Sequence, residues 1–485
     1  MLPTVTPGRV RSRHPTGAAR PRPSLPRTAD DRFRPFLRRF AMPPRPRTLA
    51  AAVTVALALG AQAVPAAAAD GSAPGTTEVS RGVEIPAFYT PPSTLPDADG
   101  ALIRSEPLHL ALSLPSLGGP LPGRATRMMY KSTDANGEPV AVTGAYIEPA
   151  AKWRGDGPRP LVAVAPGTMG QGDQCAASMA LEHPLLLNGE TVSVGYEDLS
   201  VYRLLLRGVA VVVTDYVGLG TTDRLHTYVN RVDGAHAVLD AVRAARSLDS
   251  ASVTPDSRVG LFGYSQGGGA TAAAAELQPS YAPDVPLAGT YAGAPPADLT
   301  KVTEAIDGGD LAGALGWSLN GFLQTEPALR PIADRYVNAA GQEALKDLST
   351  MCVGDALFGY GGDSSTAWTK TGQSLGDIIR AEPALQAFLA EQRIGSLKPA
   401  GPVRVATGVS DDLVPHGQSR QLAVDWCGAG AKVTYDPVVL PDVGSGLLNH
   451  FAPLLADQGK AISWLTDRLS GKPAGSNCWS MSVQP

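Results

Sequence analysis

Short apolar runs alternate with longer helical stretches along most of this chain. Six runs are rich in β-branched residues and bounded by Gly, Pro or Asp: Leu161–Ala165, Val209–Val213, Val259–Phe262, Leu287–Ala292, Val403–Ala406 and Val433–Leu440. Runs of this length and texture predict strands buried on both faces. Between the second and third, Ala235, Val238, Leu239, Val242 and Ala245 recur at helical spacing, with Arg243 and Arg246 on the other side. Such strand–helix alternation predicts a mainly parallel sheet covered by helices on both faces. A hairpin precedes it: Met128, Tyr130 and Ser132 alternate up to a turn at Asp134-Ala135-Asn136-Gly137, and Val140, Val142, Gly144 and Tyr146 lead back.

Between Pro296 and Pro402 the rhythm stops. No strand pattern occurs there, while Leu311, Leu315, Leu319, Phe322 and Leu323 form one amphipathic set. A second set, Leu375, Ile378, Ile379, Leu385, Phe388 and Leu389, is interrupted at Pro383. The sheet needs only one crossover helix at this point, so the excess predicts a helical cap over the strand ends. The organisation expected is an upstream arm with an export signal (1–69), an N-terminal extension (70–105), a first part of the sheet domain (106–296), the cap (297–400) and a second part of the sheet domain (401–485).

Composition changes the picture mainly at the N-terminus of the 485-residue chain. Residues 1–41 carry ten Arg against Asp30 and Asp31, without apolar periodicity. From Met42 the chain reads as a secretory signal peptide: Arg45 and Arg47, an apolar stretch from Leu49 to Gly60, and Ala67-Ala68-Ala69 before Asp70. Met42 is the expected start. Arg38-Arg39-Phe40 leaves a twin-arginine route open, and a retained anchor is the rival reading of the apolar stretch, against which Gln62 and Pro65 weigh. Without residues 1–69 the balance of 41 basic and 45 acidic residues becomes 29 and 43, a net charge of about −14. An acidic surface argues against nucleic acid and anionic membranes as partners. Cys175, Cys352, Cys427 and Cys478 are an even set in an exported chain, which predicts two disulfides with three possible pairings. No Cys-x-x-Cys or His-x-x-x-His spacing points to a metal.

The chemistry begins at Gly263-Tyr264-Ser265-Gln266-Gly267, which falls between the run Val259–Phe262 and an alanine-rich helix from about Gly269 to Leu277. Gly-x-Ser-x-Gly between strand and helix is a nucleophile elbow: the serine stands exposed on a strained turn, and side chains two residues either side would meet neighbouring backbone. The plainer reading is a glycine-rich turn whose serine caps the helix. A nucleophilic Ser265 needs a base and an orienting acid, which follow it in chain order Ser, Asp or Glu, His. Only His416 and His450 lie beyond it. His416 sits a few residues from Asp411 and Asp412 and is expected to begin a helix, which leaves His450, on the loop after the last strand, as the base. Asp411 is favoured over Asp412 because it precedes the apolar-Pro segment. His226 and His236 lie before the elbow, and Asp215 reads as a turn residue. Oxyanion donors are expected at Gln266 and in Pro166-Gly167-Thr168-Met169-Gly170, with Thr168 ahead of Met169 and Gly170.

Together these residues resemble the secretory lipase family of α/β-hydrolases, of the fungal lipase A type. The resemblance spans nearly the whole chain after the export signal. It rests on Phe88-Tyr89-Thr90-Pro91-Pro92, Ala165-Pro166-Gly167-Thr168, Asp215-Tyr216-Val217-Gly218-Leu219-Gly220, His226-Thr227-Tyr228, Val238 to Ala244, Gly263 to Gly268 and Asp411-Asp412-Leu413-Val414-Pro415. It implies an α/β-hydrolase fold with a helical lid and the pairings Cys175–Cys352 and Cys427–Cys478. Asn449-His450-Phe451 lies in a longer Gly/Ser loop than the family pattern leads one to expect. The implied function is a secreted serine ester hydrolase, a lipase or carboxylesterase using Ser265, His450 and Asp411 through an acyl-enzyme. It would need no metal or organic cofactor and no stable protein partner, and would meet its small-molecule or lipid ester at most in transient contact with a lipid interface. A serine peptidase on the same core and a non-catalytic secreted binding protein are the rival readings.

Overall fold

A computed structural model describes residues 78–114 and 121–485. The expected arm, export signal and start of the N-terminal extension lie outside them. Nine strands form the main sheet. Three come first: β1 (Leu102–Leu108), β2 (Gly123–Thr133) and β3 (Pro139–Pro149). Six follow: β4 (Leu161–Ala165), β5 (Ala210–Thr214), β6 (Val259–Tyr264), β7 (Leu287–Gly293), β8 (Val403–Gly408) and β9 (Val433–Val438). Their order is β9-β8-β7-β6-β4-β5-β3-β2-β1. The six from β4 onward are mutually parallel, and β3 joins β5 antiparallel, Gly144 opposite Thr214.

The parallel part corresponds to the six apolar runs. Every residue of β4, β5, β6 and β8 is buried, the condition of strands covered on both faces. The hairpin β2–β3 turns where Asp134 Oδ1 accepts the N–H groups of Asn136 and Glu138, at 2.9 and 3.0 Å. Strand β1 was not foreseen. Its Arg104, Glu106 and Pro107 break any apolar alternation, which an edge strand tolerates because one side has no neighbour to satisfy.

Helices α2 (Arg231–Arg246), α3 (Gln266–Tyr281) and α11 (His416–Gly428) share one apolar core with one face of the sheet, where Val238, Ala273 and Trp426 are fully buried. Helices α1 (Asp198–Leu205) and α12 (Gly446–Leu469) cover the other face with Leu204, Ile462 and Leu465. Arg404 of β8 clamps α12 to that face, its guanidinium making two 2.6 Å hydrogen bonds to the buried Asp457 carboxylate.

The stretch without strand patterning carries helices α4 (Leu299–Ile306), α5 (Gly313–Thr325), α6 (Arg330–Tyr336), α7 (Ala339–Leu348), α8 (Val353–Gly359), α9 (Leu375–Ala381) and α10 (Pro383–Glu391). They have a core of their own around Leu315, Trp317, Leu348 and Trp368. Pro383 takes the first position of α10, where its missing N–H costs nothing, so the interrupted apolar set becomes two helices. The structure forms the disulfides Cys175–Cys352 and Cys427–Cys478. The first ties the segment after β4 to the start of α8, and the second ties the end of α11 to the C-terminal turn.

Candidate active site

Strand β6 ends at Tyr264 and α3 starts at Gln266, so Ser265 alone makes the turn, at φ 57° and ψ −124°. A residue with a Cβ is strained there, and strain at one serine between strand and helix marks a functional position. Sterics dictate the flanking glycines. A Cβ on Gly263 would lie 2.1 Å from Gly267 O, and one on Gly267 would lie 2.0 Å from Ala165 O. The Ser265 N–H donates to Gly293 O of β7 at 2.9 Å, which fixes the turn to the sheet.

The Asp411 carboxylate and the His450 ring meet in the interior. His450 Nδ1 is 2.7 Å from Asp411 Oδ2, and both residues are almost wholly buried. Asp411 Oδ1 accepts the N–H groups of Leu413 and Val414, at 3.2 and 3.0 Å, so the carboxylate cannot turn away from the imidazole. A carboxylate only accepts, so Nδ1 carries a proton, and in the neutral tautomer this selects, Nε2 is the nitrogen with the lone pair. Asp412 has, among the described residues, one hydrogen bond to its carboxylate, from Asn449 Nδ2 at 3.5 Å. His450 and Ser265 line one cavity, together with Gln266, Tyr228, Leu413 and residues of α4 and α5.

One expectation is corrected here. His450 does not ride on a loop: it lies in α12, whose first residue is Gly446. The Gly/Ser segment closes into a helix because the Ser445 side chain accepts from Leu448 N, capping the free N–H groups of the first turn. His450 thus stands on a 24-residue helix clamped to the sheet through Asp457. His416 does begin α11, with Nε2 3.0 Å from the Tyr435 hydroxyl.

The loop Pro166–Gly170 lies beside the serine turn, Pro166 O being 2.9 Å from where a Cβ on Gly267 would stand. Gly167 N–H donates to Glu197 Oε1 at 2.9 Å, and Tyr196 donates its hydroxyl to Thr168 O at 3.0 Å. Among the described residues, neither Thr168 N–H nor Gln266 N–H finds a protein acceptor, and Gln266 is the first residue of its helix, where none is due. Burial pushes the Glu197 carboxyl up to about 7, and Asp198 beside it to about 7 for the same reason, reinforced by the charge of Glu197. Neither acid was singled out in the sequence. Asp215 is fully buried and accepts from Ser178 and Thr143, a structural carboxylate at the end of β5.

A strained serine turn, a buried acid–imidazole pair and a shared cavity are the parts of an acyl-transfer site. The secretory lipase family model matches residues 181–477. The chain belongs to the secretory lipase family. This secretory lipase is 29% identical to a Mycobacterium tuberculosis protein named as a probable inactive lipase, over 80% of this chain and 82% of that one. It is 25% identical to lipase A of Arthroderma benhamiae over 82% and 81%. Its fold is that of Candida antarctica lipase A in the closed state, with a TM-score of 0.68 at 19% identity over 81% of this chain and 88% of that one. It is a secreted, lipase-type carboxylic-ester hydrolase. Among the described residues no helix is long and apolar enough to cross a membrane, and no cluster of His, Cys, Asp or Glu could hold a metal ion.

Proposed function

We propose that Ser265 is the nucleophile, His450 the general base and Asp411 its orienting acid, and that the substrates are lipid esters bound beneath the helical insert. Ser265 Oγ attacks the ester carbonyl while His450 Nε2 takes its proton. The oxyanion forms against the free N–H groups of Gln266 and Thr168, favoured by the N-terminus of α3. His450 then protonates the departing alcohol, and a water activated by the same nitrogen hydrolyses the acyl-enzyme. The Asp411–His450 hydrogen bond at 2.7 Å, in the cavity that Ser265 lines, is the observation that carries this reading. Labelling of Ser265 by a fluorophosphonate tests it. The wild-type chain should be labelled and Ser265→Ala should not; an unlabelled but folded wild type would sink the assignment.

Lipid esters are favoured because the cavity's outer wall is apolar and borders a second apolar space. Leu315 and Phe322 of α5 line both; beyond them Leu319, Ile379, Leu385 and Phe388 enclose a chamber without a charged side chain. An acyl chain there would replace water at an apolar surface, at about 25 cal/mol per Å² buried. The second reading, a short-chain carboxylesterase with a fixed pocket wall, draws on the Cys175–Cys352 bridge, which pins the insert to the core. Rate should rise steeply once tributyrin passes its solubility limit if the insert opens at an interface. Smooth saturation through that limit, with activity confined to short acyl chains, would favour the esterase.

A further inference from the structure

Three side chains beside the proposed oxyanion donors have no part in the chemistry above, yet their polar tips converge on the segments that carry those donors. Tyr216 and His226 stack with ring centroids 5.7 Å apart and 17° between planes, and Tyr228 meets His226 edge-on at 5.9 Å. All three are buried. The Tyr216 hydroxyl donates to Pro166 O at 2.7 Å, and the Tyr228 hydroxyl lies 2.7 Å from Thr168 Oγ1. His226 Nε2 is 2.9 Å from the side-chain nitrogen of Gln266.

The hydrogen-bond chemistry fixes which way that last contact runs. His226 Nδ1 lies 3.0 Å from Val217 O, and a carbonyl only accepts, so Nδ1 holds the proton. Nε2 is therefore an acceptor, and the Gln266 amide donates to it. Burial holds the imidazole down to about 4, which favours the neutral ring that this acceptor role requires. The backbone beneath the stack is under tension of its own. Tyr216 has φ 70° without being glycine, and a Cβ on Gly218 would lie 2.0 Å from Leu225 O. The turn after β5 is thus packed directly onto the segment that carries His226. On the far side Tyr228 rests edge-on against Trp317 of α5, at 5.6 Å.

We infer that His226 is a positioning residue for the oxyanion hole: stacked on Tyr216 and met edge-on by Tyr228, it holds the Gln266 side chain, while the two tyrosines hold Pro166 and Thr168, so that both N–H donors are referenced to one packed cluster. The inference rests on the assignment of Ser265, Gln266 and Thr168 proposed above. Such a donor is worth about 10²–10³-fold in turnover. A shift of an ångström costs up to about 10²-fold with little change in ground-state binding.

The test is steady-state kinetics on a soluble p-nitrophenyl ester, with fluorophosphonate titration to count competent sites. His226→Leu keeps buried bulk and removes the acceptor; Gln266→Met keeps the backbone N–H and removes the side-chain donor. Each should lower kcat about 10–100-fold with KM within about two-fold. The double variant should be no slower than the worse single one, because both break the same hydrogen bond. His226→Gln, which restores an acceptor, should return kcat to within about five-fold of wild type. Singles with unchanged kcat, multiplicative losses in the double variant, or equal losses in His226→Gln and His226→Leu would each overturn the inference. Should His226→Leu not fold, Gln266→Met decides alone, by whether kcat falls without KM. A wild type that neither turns over ester nor labels at Ser265 refutes the underlying assignment, whereas an active, labelled wild type with indifferent variants refutes only the role of His226.

Discussion

The two sides of the proposed site are built on opposite principles. On the side of Ser265 the proposed roles fall to particular side chains: a serine on a strained turn between two glycines whose replacement would collide with backbone at 2.1 and 2.0 Å, an imidazole and a carboxylate. On the proposed oxyanion side the donors would be main-chain N–H groups, which any residue but proline could supply. What is specific there is the support, Tyr196, Glu197, Tyr216, His226 and Tyr228, which hold the segments that bear those groups. Chemistry performed by side chains concentrates its requirements at the site; chemistry performed by backbone spreads them into the support.

The sharpest way to break that comparison is to remove the side chains on the Ser265 side. Ser265→Ala and His450→Ala should both lose on the order of 10⁶-fold in kcat, and the double variant should lose no more, since the pair acts as a unit. Thermal melting should be nearly unchanged for Ser265→Ala, where a methyl replaces a hydroxyl. A tenth of wild-type rate surviving in either variant would remove that residue from the mechanism.

A smaller loss should separate the two neighbouring acids. Asp411→Asn keeps the shape but presents an amide to His450 Nδ1, so the wrong tautomer is favoured and kcat should fall about 10⁴-fold. Asp412→Asn should stay within about three-fold, because the one hydrogen bond to that carboxylate among the described residues comes from Asn449. Comparable losses in the two would mean that the loop after β8 acts as a block.

These contrasts also mark how far the sequence could be read. The turn at Ser265 was legible because sterics exclude a Cβ at 263 and 267, and the pairing of Asp411 with His450 because chain order and a shortage of downstream histidines left few candidates. The six parallel strands were legible because strands covered on both faces must be apolar throughout. The start of α12 was not: Gly444-Ser445-Gly446 reads as loop, and only the Ser445 cap turns it into helix. Strand β1 was hidden by Arg104, Glu106 and Pro107. The cluster beside the proposed oxyanion donors was hidden for a different reason. Tyr216, His226 and Tyr228 stand in motif-like segments, but nothing in their spacing tells that their tips converge on Pro166, Thr168 and Gln266.

The oxyanion support should show itself in stability against pH. Glu197 is raised from 4.5 to about 7 by burial, so the native state holds its proton more tightly than the unfolded chain. Its ionisation therefore costs nothing below about pH 4.5, where both states are protonated, and destabilises progressively as pH rises to about 7. Glu197→Gln stays neutral and still accepts from Gly167, so it should melt a few degrees above wild type at pH 8 and coincide with it near pH 4.5. The full shift corresponds to roughly 3 kcal/mol. A residual slope should persist from Asp198, which burial raises in the same window. A variant less stable than wild type at pH 8 would show that the ionised carboxylate is the form the Gly167 N–H requires.

The smallest effect expected is at the other downstream histidine. His416 opens α11, with Nε2 3.0 Å from the hydroxyl of Tyr435 in β9, which donates to Pro485 O, so its partner belongs to the sheet edge and not to the cavity. Removing it should cost one modest, partly buried hydrogen bond, about 1 kcal/mol of stability. His416→Ala should accordingly retain at least half of wild-type kcat with KM unchanged, and melt slightly lower. The contrast with His450 is then one of about six orders of magnitude between two histidines of the same sheet end. It follows from which carboxylate each ring faces: His450 has Asp411 behind Nδ1, whereas His416 Nδ1 is buried without a hydrogen-bond partner among the described residues. The Tyr435 hydroxyl gives its one proton to Pro485 O and so accepts from His416 Nε2, which leaves that nitrogen a donor rather than a base; a large kinetic loss in His416→Ala would mean that the acid loop delivers its histidine to the site from a different side.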